Sequence, residues 1–441
     1  MHERNGIVRE AQDVVVVGGG LAGLAAAAYL ARAGLAVTVL ERGATLGGRA
    51  DTHVRDGFHL NLGPHALYRA GAAHAVLTEL GVPLSGATPP SDGWALFADE
   101  LVPLPSGPRT LLTSPIASAR GKLEIAKFLA MLTSGAVSSD GWAATSVAAW
   151  LDAHLHEASA RTFAEAFLRL STYANAPELS SAGAALGQLR RAMRGGVLYL
   201  DGGWKQLVEG LAAIAARAGA AIRTDAAVES VRSTGRGFRV ELRSGAEIET
   251  RAVVVAGSPE LAARLADGSP ALDRAAADAV PVTAACLDVA LESLPEPTRT
   301  FAIGFDRPLY FSVHSKSAAL APAGGAVIHV AKYLAPHGSP DASGERAELE
   351  AWLDRLQPGW RARVVHQRYL RRMVVQHDLV HASRGGLAGR PAAEVPDRPG
   401  FFVAGDWTGP GGFLADASLA SARRAASVVR THLAGRTRAA A

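Results

Sequence analysis

The pattern of apolar and polar residues is clearest near the N-terminus, where an apolar run stops at three glycines. Residues 13–17 predict a strand, and an Ala- and Leu-rich helix follows the glycines and is closed by Gly34. A second apolar strand at 36–40 ends on Glu41. Strand, helix and strand in this order predict a βαβ unit.

Periodicity along the rest of the chain predicts an α/β fold. Residues 84–194 are predicted to be mostly helical; Ile125, Phe128, Leu129 and Leu132, for example, fall at i, i+3, i+4 and i+7. The predicted helices are 72–80, 147–155, 160–170, 205–218 and 415–433. The predicted strands are 221–223, 228–232, 238–243, 252–256, 286–291 and 326–330, and a last unit begins at 401–407.

Gly18, Gly20 and Gly23 of the βαβ unit form the pattern G-x-G-x-x-G. Gly18 permits a tight turn, Gly20 lets the backbone approach a pyrophosphate, and Gly23 lets the helix pack closely on the strand. The helix N-terminus offers N–H groups to phosphates. Glu41 follows Gly18 by 23 positions, close to the roughly 20 expected of a ribose-binding carboxylate. The unit predicts dinucleotide binding; the alternative is a Gly-rich turn in an ordinary α/β domain.

Composition narrows the class of protein. The 441 residues allow two or three cores, and the net charge of +4 comes from arginines spread along the chain, which argues against nucleic-acid binding. The one cysteine, Cys286, lies in an apolar stretch and is predicted to be buried. The sequence contains no cluster of Cys and His residues that would predict a metal site. Residues 14–31 are uncharged, but their glycines argue against a membrane span, so we expect a cytoplasmic chain without an export signal.

Three blocks together resemble the FAD-dependent amine oxidase and phytoene desaturase superfamily. They are the N-terminal unit ending in Gly47-Gly48-Arg49, the Gly202-Gly203-Trp204 segment with Val228, and Ala404-Gly405-Asp406. The resemblance implies a discontinuous Rossmann-type FAD-binding domain and a mixed-sheet and helical substrate domain. The implied cofactor-binding residues are Gly18, Gly20, Leu21, Ala22, Gly23, Glu41, Arg42, Gly48, Arg49, Gly63, Pro64, His65, Val228, Gly405, Asp406, Gly412, Phe413 and Leu414.

The same resemblance implies boundaries for the domains. The FAD-binding domain is expected at 8–75, 198–275 and 366–437, and the substrate domain at 76–197 and 276–365. Residues 438–441 are expected to form a tail, with disorder from about residue 435.

Three features of the chain shape the expected chemistry. Amine oxidases of the superfamily place a Lys on a substrate-domain strand, and the corresponding strand at 284–291 has none. No Cys lies near the C-terminal block, so we expect non-covalent FAD. A second G-x-G-x-x-G, as in enzymes reduced by NADPH, is also absent from the sequence.

Candidate catalytic residues are His65, Tyr68 and Lys332. His65 and Tyr68 follow the Gly63-Pro64 turn, which by resemblance passes under the flavin; a turn histidine is also often purely structural. Lys332 shares a strand with His329, and strand alternation places the two on opposite faces. Tyr173, Tyr199 and Tyr310 could line a substrate cavity or serve core packing.

We expect an FAD-dependent dehydrogenase that desaturates or oxidises a small or lipid-like, largely apolar substrate and passes the electrons to oxygen or a quinone. The alternatives are an amine oxidase or protoporphyrinogen-oxidase-like enzyme, and a flavin-dependent isomerase or non-catalytic flavoprotein. The chain is expected to be a monomer or homodimer. The face of Ile125, Phe128, Leu129 and Leu132 could contact a membrane or, as the simpler interpretation, pack in the core.

Overall fold

The secondary structure follows from a computed structural model that describes residues 11–134, 140–336 and 342–440. The strands are β1 (Ala11–Val17), β2 (Val37–Leu40), β3 (Thr52–Arg55), β4 (Phe58–Asn61), β5 (Leu67–Tyr68), β6 (Gly86–Ala87), β7 (Trp94–Phe97), β8 (Glu100–Pro103), β9 (Val197–Leu200), β10 (Ala221–Arg223), β11 (Val228–Thr234), β12 (Gly237–Leu242), β13 (Glu247–Val255), β14 (Val282–Leu291), β15 (Phe301–Gly304), β16 (Leu309–Val313), β17 (Ala326–Tyr333), β18 (Val364–Gln376) and β19 (Phe401–Val403).

Helices cover the sheets formed by these strands. They are α1 (Leu21–Arg32), α2 (Ala72–Leu80), α3 (Pro108–Thr113), α4 (Ala119–Ser134), α5 (Val147–His154), α6 (Ala158–Thr172), α7 (Ala182–Gly195), α8 (Lys205–Arg217), α9 (Pro259–Ala266), α10 (Pro270–Ala277), α11 (Ala342–Leu356) and α12 (Leu414–Ala440).

The first sheet has the order β10-β2-β1-β13-β12-β11, with β19 also pairing with β13. Strand β1 pairs in parallel with both β2 and β13. Its valines are buried on both faces: Val14 and Val16 pack with α1, while Val15 and Val17 share the opposite core with residues of α9 and α10. A fully apolar strand is what a sheet covered on both sides requires. The βαβ unit and the Rossmann-type α/β fold predicted from the sequence are therefore confirmed.

The second sheet has the order β18-β14-β17-β16-β15-β7-β8 and is antiparallel except at the β15–β7 pair. Strand β14 is buried along its whole length, because α11 covers one face of the sheet and the helices α4–α7 cover the other. Cys286 faces the helices and is fully buried, as predicted.

The structure bears on three expectations about organisation. Residues 366–376, expected in the FAD-binding domain, lie in β18, which pairs with β14 in the second sheet. Residues 84–194 are mostly helical, as expected, and also contain β7 and β8, which extend that sheet. The expected tail is helical as far as residue 440, since α12 continues through it; residue 441, like residues 8–10 of the first predicted segment, lies outside the described residues.

The membrane-facing interpretation of α4 is also wrong for the face considered. Ile125, Phe128 and Leu132 are buried and pack with α6 and α7 in the core. The simpler interpretation is confirmed. Within the described ranges, no helix combines the length and the apolar character needed to span a membrane.

Candidate active site

A cavity of about 490 Å³ lies where the carboxyl ends of β1 and β2 meet strand β18 and the start of α12. The predicted residues in its wall are Gly18, Gly20, Leu21, Ala22, Glu41, Arg42, Gly48, Arg49, Pro64, His65, Val228, Gly405, Asp406 and Leu414. Segments far apart in sequence therefore meet in one site.

The glycines before α1 have separate structural roles. Gly18 has a φ of +111°, which favours glycine, and a Cβ there would lie 2.5 Å from the Ala256 carbonyl oxygen. Gly23 is outside the wall; a Cβ on it would lie 1.9 Å from the Gly18 carbonyl oxygen, so it serves helix–strand packing. Gly20 faces the cavity, and its Cβ would meet nothing closer than 3.6 Å. The first-turn N–H groups of α1 lack helical acceptors and are suited to an anion.

Glu41 directly follows β2 and lies in the cavity wall. Its carboxylate accepts hydrogen bonds from the N–H groups of Gly19, at 2.7 Å, and Gly43, at 2.8 Å. These bonds fix the carboxylate in the cavity wall beside Arg42. Each carboxylate oxygen can accept a further hydrogen bond, so Glu41 remains suited to ribose hydroxyls.

Arg49, Asp406 and His377 form a hydrogen-bonded cluster in the cavity wall. Arg49 Nη1 lies 2.6 Å from Asp406 Oδ2, and His377 Nδ1 lies 2.9 Å from Asp406 Oδ1. Asp406 is only 1% exposed. Burial alone would raise its pKa, but Arg49 and His377 outweigh burial and hold the pKa well below its usual range. Asp406 is therefore an anion that fixes the Arg49 guanidinium.

His65 lies in the wall beside Trp204, with the two ring centroids 4.7 Å apart. Its Nδ1 is 3.1 Å from the Gly63 carbonyl oxygen and its Nε2 is 3.0 Å from the Arg49 carbonyl oxygen. Burial lowers the pKa of His65 to about 4 despite these acceptors. Because this pKa lies well below neutral pH, the His65 ring is neutral there, and its single N–H can donate to only one of the two carbonyls.

We expect replacement of His65 by Phe to change turnover by less than about tenfold. Removal of a true general acid or base typically costs 10²–10⁴-fold. The pH–rate profile of the unmodified protein should contain no step from His65 between about pH 5.5 and 8, since its pKa is about 4. A step in that range that disappears in the His65→Phe variant would contradict this assignment.

The other two candidate catalytic residues lie outside the wall. The Tyr68 hydroxyl donates to the Ser171 carbonyl oxygen at 2.9 Å and is buried. Lys332 points toward α11, where its Nζ lies 2.6 Å from Glu348. His329 is on the opposite face, as alternation predicted, and is fully buried. The structure therefore does not support Tyr68 or Lys332 as groups that touch a substrate in this cavity.

Three further predicted cofactor-binding residues stand behind the wall. Gly63 has a φ of +75° and donates its N–H to Asp288 Oδ2 at 3.3 Å. Gly412 and Phe413 precede α12 and contact the buried Arg390. Their neighbours Pro64 and Leu414 do line the cavity, so these residues shape the wall from behind.

Of the three candidate tyrosines, only Tyr173 reaches the cavity. Its hydroxyl donates to the Pro64 carbonyl oxygen at 3.2 Å, and burial raises its pKa. The hydroxyls of Tyr199 and Tyr310 lie 3.2 Å apart in a buried cluster with His314. For those two residues, core packing is the interpretation that the structure supports.

Several residues of the cavity wall were not predicted from the sequence. Met373, Val375 and His377 come from β18 and the residue after it, in a segment not predicted as a strand. Trp204 was named only as part of the Gly202-Gly203-Trp204 segment and was not predicted to line a cavity. Arg243 and Arg264 also line the cavity, and no motif marked them.

The Gly63–His65 turn is held by buried charges that the sequence did not indicate. Asp288 is fully buried, with His329 Nδ1 and Arg368 Nη2 each 2.6 Å from its carboxylate. Burial would raise the pKa of Asp288, but these two partners outweigh burial and lower it. Arg368 also donates to the Asn61 carbonyl oxygen. The second sheet thereby fixes the turn that carries Pro64 and His65. Among the described residues, no His/Cys/Asp/Glu group is arranged to hold a metal ion.

Asp416, in the first turn of α12, predicts a pH dependence of stability. Its Oδ1 accepts the Ala73 N–H at 2.8 Å, its Oδ2 has no partner among the described residues, and burial raises its pKa from 3.8 to about 6. The folded chain thus holds a proton that the unfolded chain has lost, so stability falls as pH rises from about 4 to 6. Asp416→Asn should be more stable above pH 6 by about 2–3 kcal/mol. Denaturant unfolding at pH 4.5 and 7.5 tests this; equal pH dependence in both proteins would contradict it.

Comparison with known proteins agrees with this geometry. The family model described as "Flavin containing amine oxidoreductase" matches residues 21–289. The chain is 55% identical over 53 residues to a carotenoid 3,4-desaturase of Haloarcula japonica, which is 12% of this chain and 11% of that protein. It is 48% identical over 65 residues to an L-amino-acid oxidase of Echis ocellatus, which is 14% of this chain and 13% of the relative.

These curated relatives are therefore matched over only a small part of their length. A solved structure of an oxidoreductase from Methanosarcina mazei covers 95% of this chain and all of its own, with a TM-score of 0.73 and 19% identity. That likeness shows a shared fold. Because the family model covers more than half of the chain, the protein belongs to the flavin-containing amine oxidoreductase family.

Proposed function

We propose that the flavin is non-covalently bound FAD and that the enzyme dehydrogenates a largely apolar substrate. The fit of FAD rests on the donor set of the cavity. Four arginines (42, 49, 243 and 264) and two carboxylates (Glu41 and Asp406) line it. This excess of positive charge complements a pyrophosphate, and the open space at Gly20 allows its close approach.

Each part of the cavity suits one part of FAD. The N-terminus of α1 and Arg49 would hold the pyrophosphate, and Glu41 the adenosine ribose, with Val228 beside the adenine. The half that carries the flavin would then extend toward Pro64, Tyr173 and Leu414. The described part of the chain has one cysteine, Cys286, which is buried and outside the wall, in keeping with a non-covalent link.

The apolar wall at this flavin end carries the proposal about substrate. It is formed by Tyr173, Met373, Val375, Leu414 and Ala66. The titratable groups there are His65, which is neutral at pH 7, and the Tyr173 phenol. None of these described residues offers a carboxylate to pair with a substrate ammonium group. A neutral, apolar substrate suits this wall better than an amine or an amino acid.

When bound, FAD supplies a hydride acceptor for a C–H bond of the substrate and passes the electrons to oxygen or a quinone. The residues of this chain bind and orient the reactants and exclude water. Tyr173, tied to Pro64, and the turn held by Asp288 keep the apolar wall in place. The second hydrogen leaves the substrate as a proton to water, and His65, with a pKa of about 4, is not needed to accept it.

The domain assignment that we propose follows the sheets. The FAD-binding domain comprises residues 11–80, 198–277 and 377–440, and the substrate domain comprises 81–197 and 278–376. This arrangement keeps α2 with α12, against which it packs, and places β18 with the sheet to which it is hydrogen-bonded.

Visible absorption spectroscopy of the purified protein tests the cofactor first. We expect a flavin spectrum that moves into the supernatant after heat denaturation; colour in the pellet would indicate a covalent link. The substrate class is tested next by anaerobic bleaching. Bleaching by long unsaturated hydrocarbons but not by amines or amino acids supports the proposal, whereas bleaching by amines with release of peroxide in air would favour the amine oxidase alternative.

A further inference from the structure

Arg390 is a buried cation directly behind the start of α12. It is 7% exposed, and its Nη1 donates to the Gly412 carbonyl oxygen at 2.6 Å. Its guanidinium carbon lies 5.9 Å from the centre of the Phe413 ring. Its Nε and Nη2 have no hydrogen-bond partner in the described part of the chain, and no described carboxylate lies within 4.0 Å of the guanidinium. Burial lowers the pKa of Arg390 to about 10, although Asp406 and Asp378 act from beyond contact distance to raise it, so the group stays charged at neutral pH.

An unpaired guanidinium is expensive to bury, because the lost hydration is not replaced by a counter-charge. The other deeply buried arginine with a lowered pKa, Arg169, differs in this respect: it is 6% exposed but has Glu165 at 3.2 Å and donates to several carbonyls. Arg390 therefore lacks a partner that such a residue normally has.

The position of Arg390 indicates what that partner is. Leu414 and Ala415, which directly follow the Gly412–Phe413 segment, line the cavity. If the pyrophosphate lies at the N-terminus of α1 and the adenosine at Glu41, the flavin half must occupy the end formed by Pro64, Tyr173 and Leu414. Two-electron reduction adds negative charge to the flavin, and a fixed charge in a medium of low dielectric constant acts strongly over short distances.

We propose that Arg390 is a positioning residue whose buried charge, held behind the cavity wall by the Gly412 carbonyl, raises the reduction potential of the bound flavin. The inference rests on the proposed function, because it requires a flavin in this cavity. The charge makes reduction by the substrate more favourable, and the negative charge of the reduced flavin compensates in part for the absence of a carboxylate in contact with Arg390. Arg390 does not touch the substrate, and no bond to it forms or breaks.

The test is the midpoint potential of the bound flavin in Arg390→Gln and Arg390→Lys. Gln retains a donor for the Gly412 carbonyl but no charge, whereas Lys retains both. We expect Arg390→Gln to shift the two-electron equilibrium about tenfold toward oxidised flavin, which corresponds to a potential about 30 mV lower. Arg390→Lys should stay near the wild type. Arg169→Gln, which removes a comparably buried arginine outside the cavity wall, should leave the potential unchanged.

The outcomes separate this inference from the proposed function. An unchanged potential in Arg390→Gln, or an equal drop in Arg390→Lys, would overturn the role of the charge alone. If Arg390→Gln does not fold, Arg390→Met replaces it with the same expected drop, and failure of both to fold would show that the guanidinium serves the fold. A wild-type protein that takes up no flavin would overturn the proposed function and this inference together.

Discussion

Gly20→Val is expected to abolish flavin binding and leave the fold intact. Gly20 has φ −81° and ψ −176°, values that any residue adopts, so the substitution causes no backbone strain. A Cβ at this position meets nothing closer than the Gly47 carbonyl oxygen at 3.6 Å, and the valine would project into the cavity at the N-terminus of α1. We expect affinity for FAD to fall by about 100-fold or more, equivalent to about 3 kcal/mol.

The measurements are the flavin content of the purified variant, titration of its apoprotein with FAD, and thermal unfolding of the apoprotein. Gly23→Ala is the matched control within the same motif. Its methyl group would lie 1.9 Å from the Gly18 carbonyl oxygen, so this variant should lose thermal stability as well as flavin. Tight FAD retention by Gly20→Val would show that the pyrophosphate does not approach this loop.

Local sequence patterns were sufficient to predict the part of the site that the βαβ unit forms. The strand, glycines, helix and terminal Glu41 lie within about thirty residues, and each has a geometric role that its residue type reveals. The prediction of helix α2 at 72–80 also matches the structure, because its apolar spacing and the closing Gly81 are both local signals.

The other half of the site depends on contacts that no local pattern encodes. Strand β18 reads VVHQRYLRRMVVQ, with charged residues throughout, because much of it is exposed or half-buried at the edge of the second sheet. Its identity as a strand comes from pairing with β14, some eighty residues earlier. Because β18 was not predicted, Met373, Val375 and His377 were not identified as residues of the cavity wall. Strand alternation placed Lys332 and His329 on opposite faces, but the side of the sheet that faces the cavity was known only from the structure.

Asp406→Ala is expected to cause a large loss of stability. The carboxylate is 1% exposed and joins Arg49, 357 positions earlier in the chain, to His377. Breaking a buried ion pair typically costs 3–5 kcal/mol, because the remaining charge stays buried without a partner. The Arg49 side chain is 37% exposed, so solvent screens part of this cost and we expect about 2–3 kcal/mol.

The sign of the pH dependence provides a second measure of the same interaction. Because Arg49 and His377 lower the folded-state pKa of Asp406, its contribution is fully present above the ordinary carboxyl range and is lost as pH falls below about 4. The wild type should therefore lose stability on acidification more steeply than Asp406→Ala. Denaturant unfolding of Asp406→Ala, Arg49→Ala and the double variant measures the coupling directly. Strictly additive losses would mean that the carboxylate and the guanidinium, although adjacent, stabilise the cavity independently.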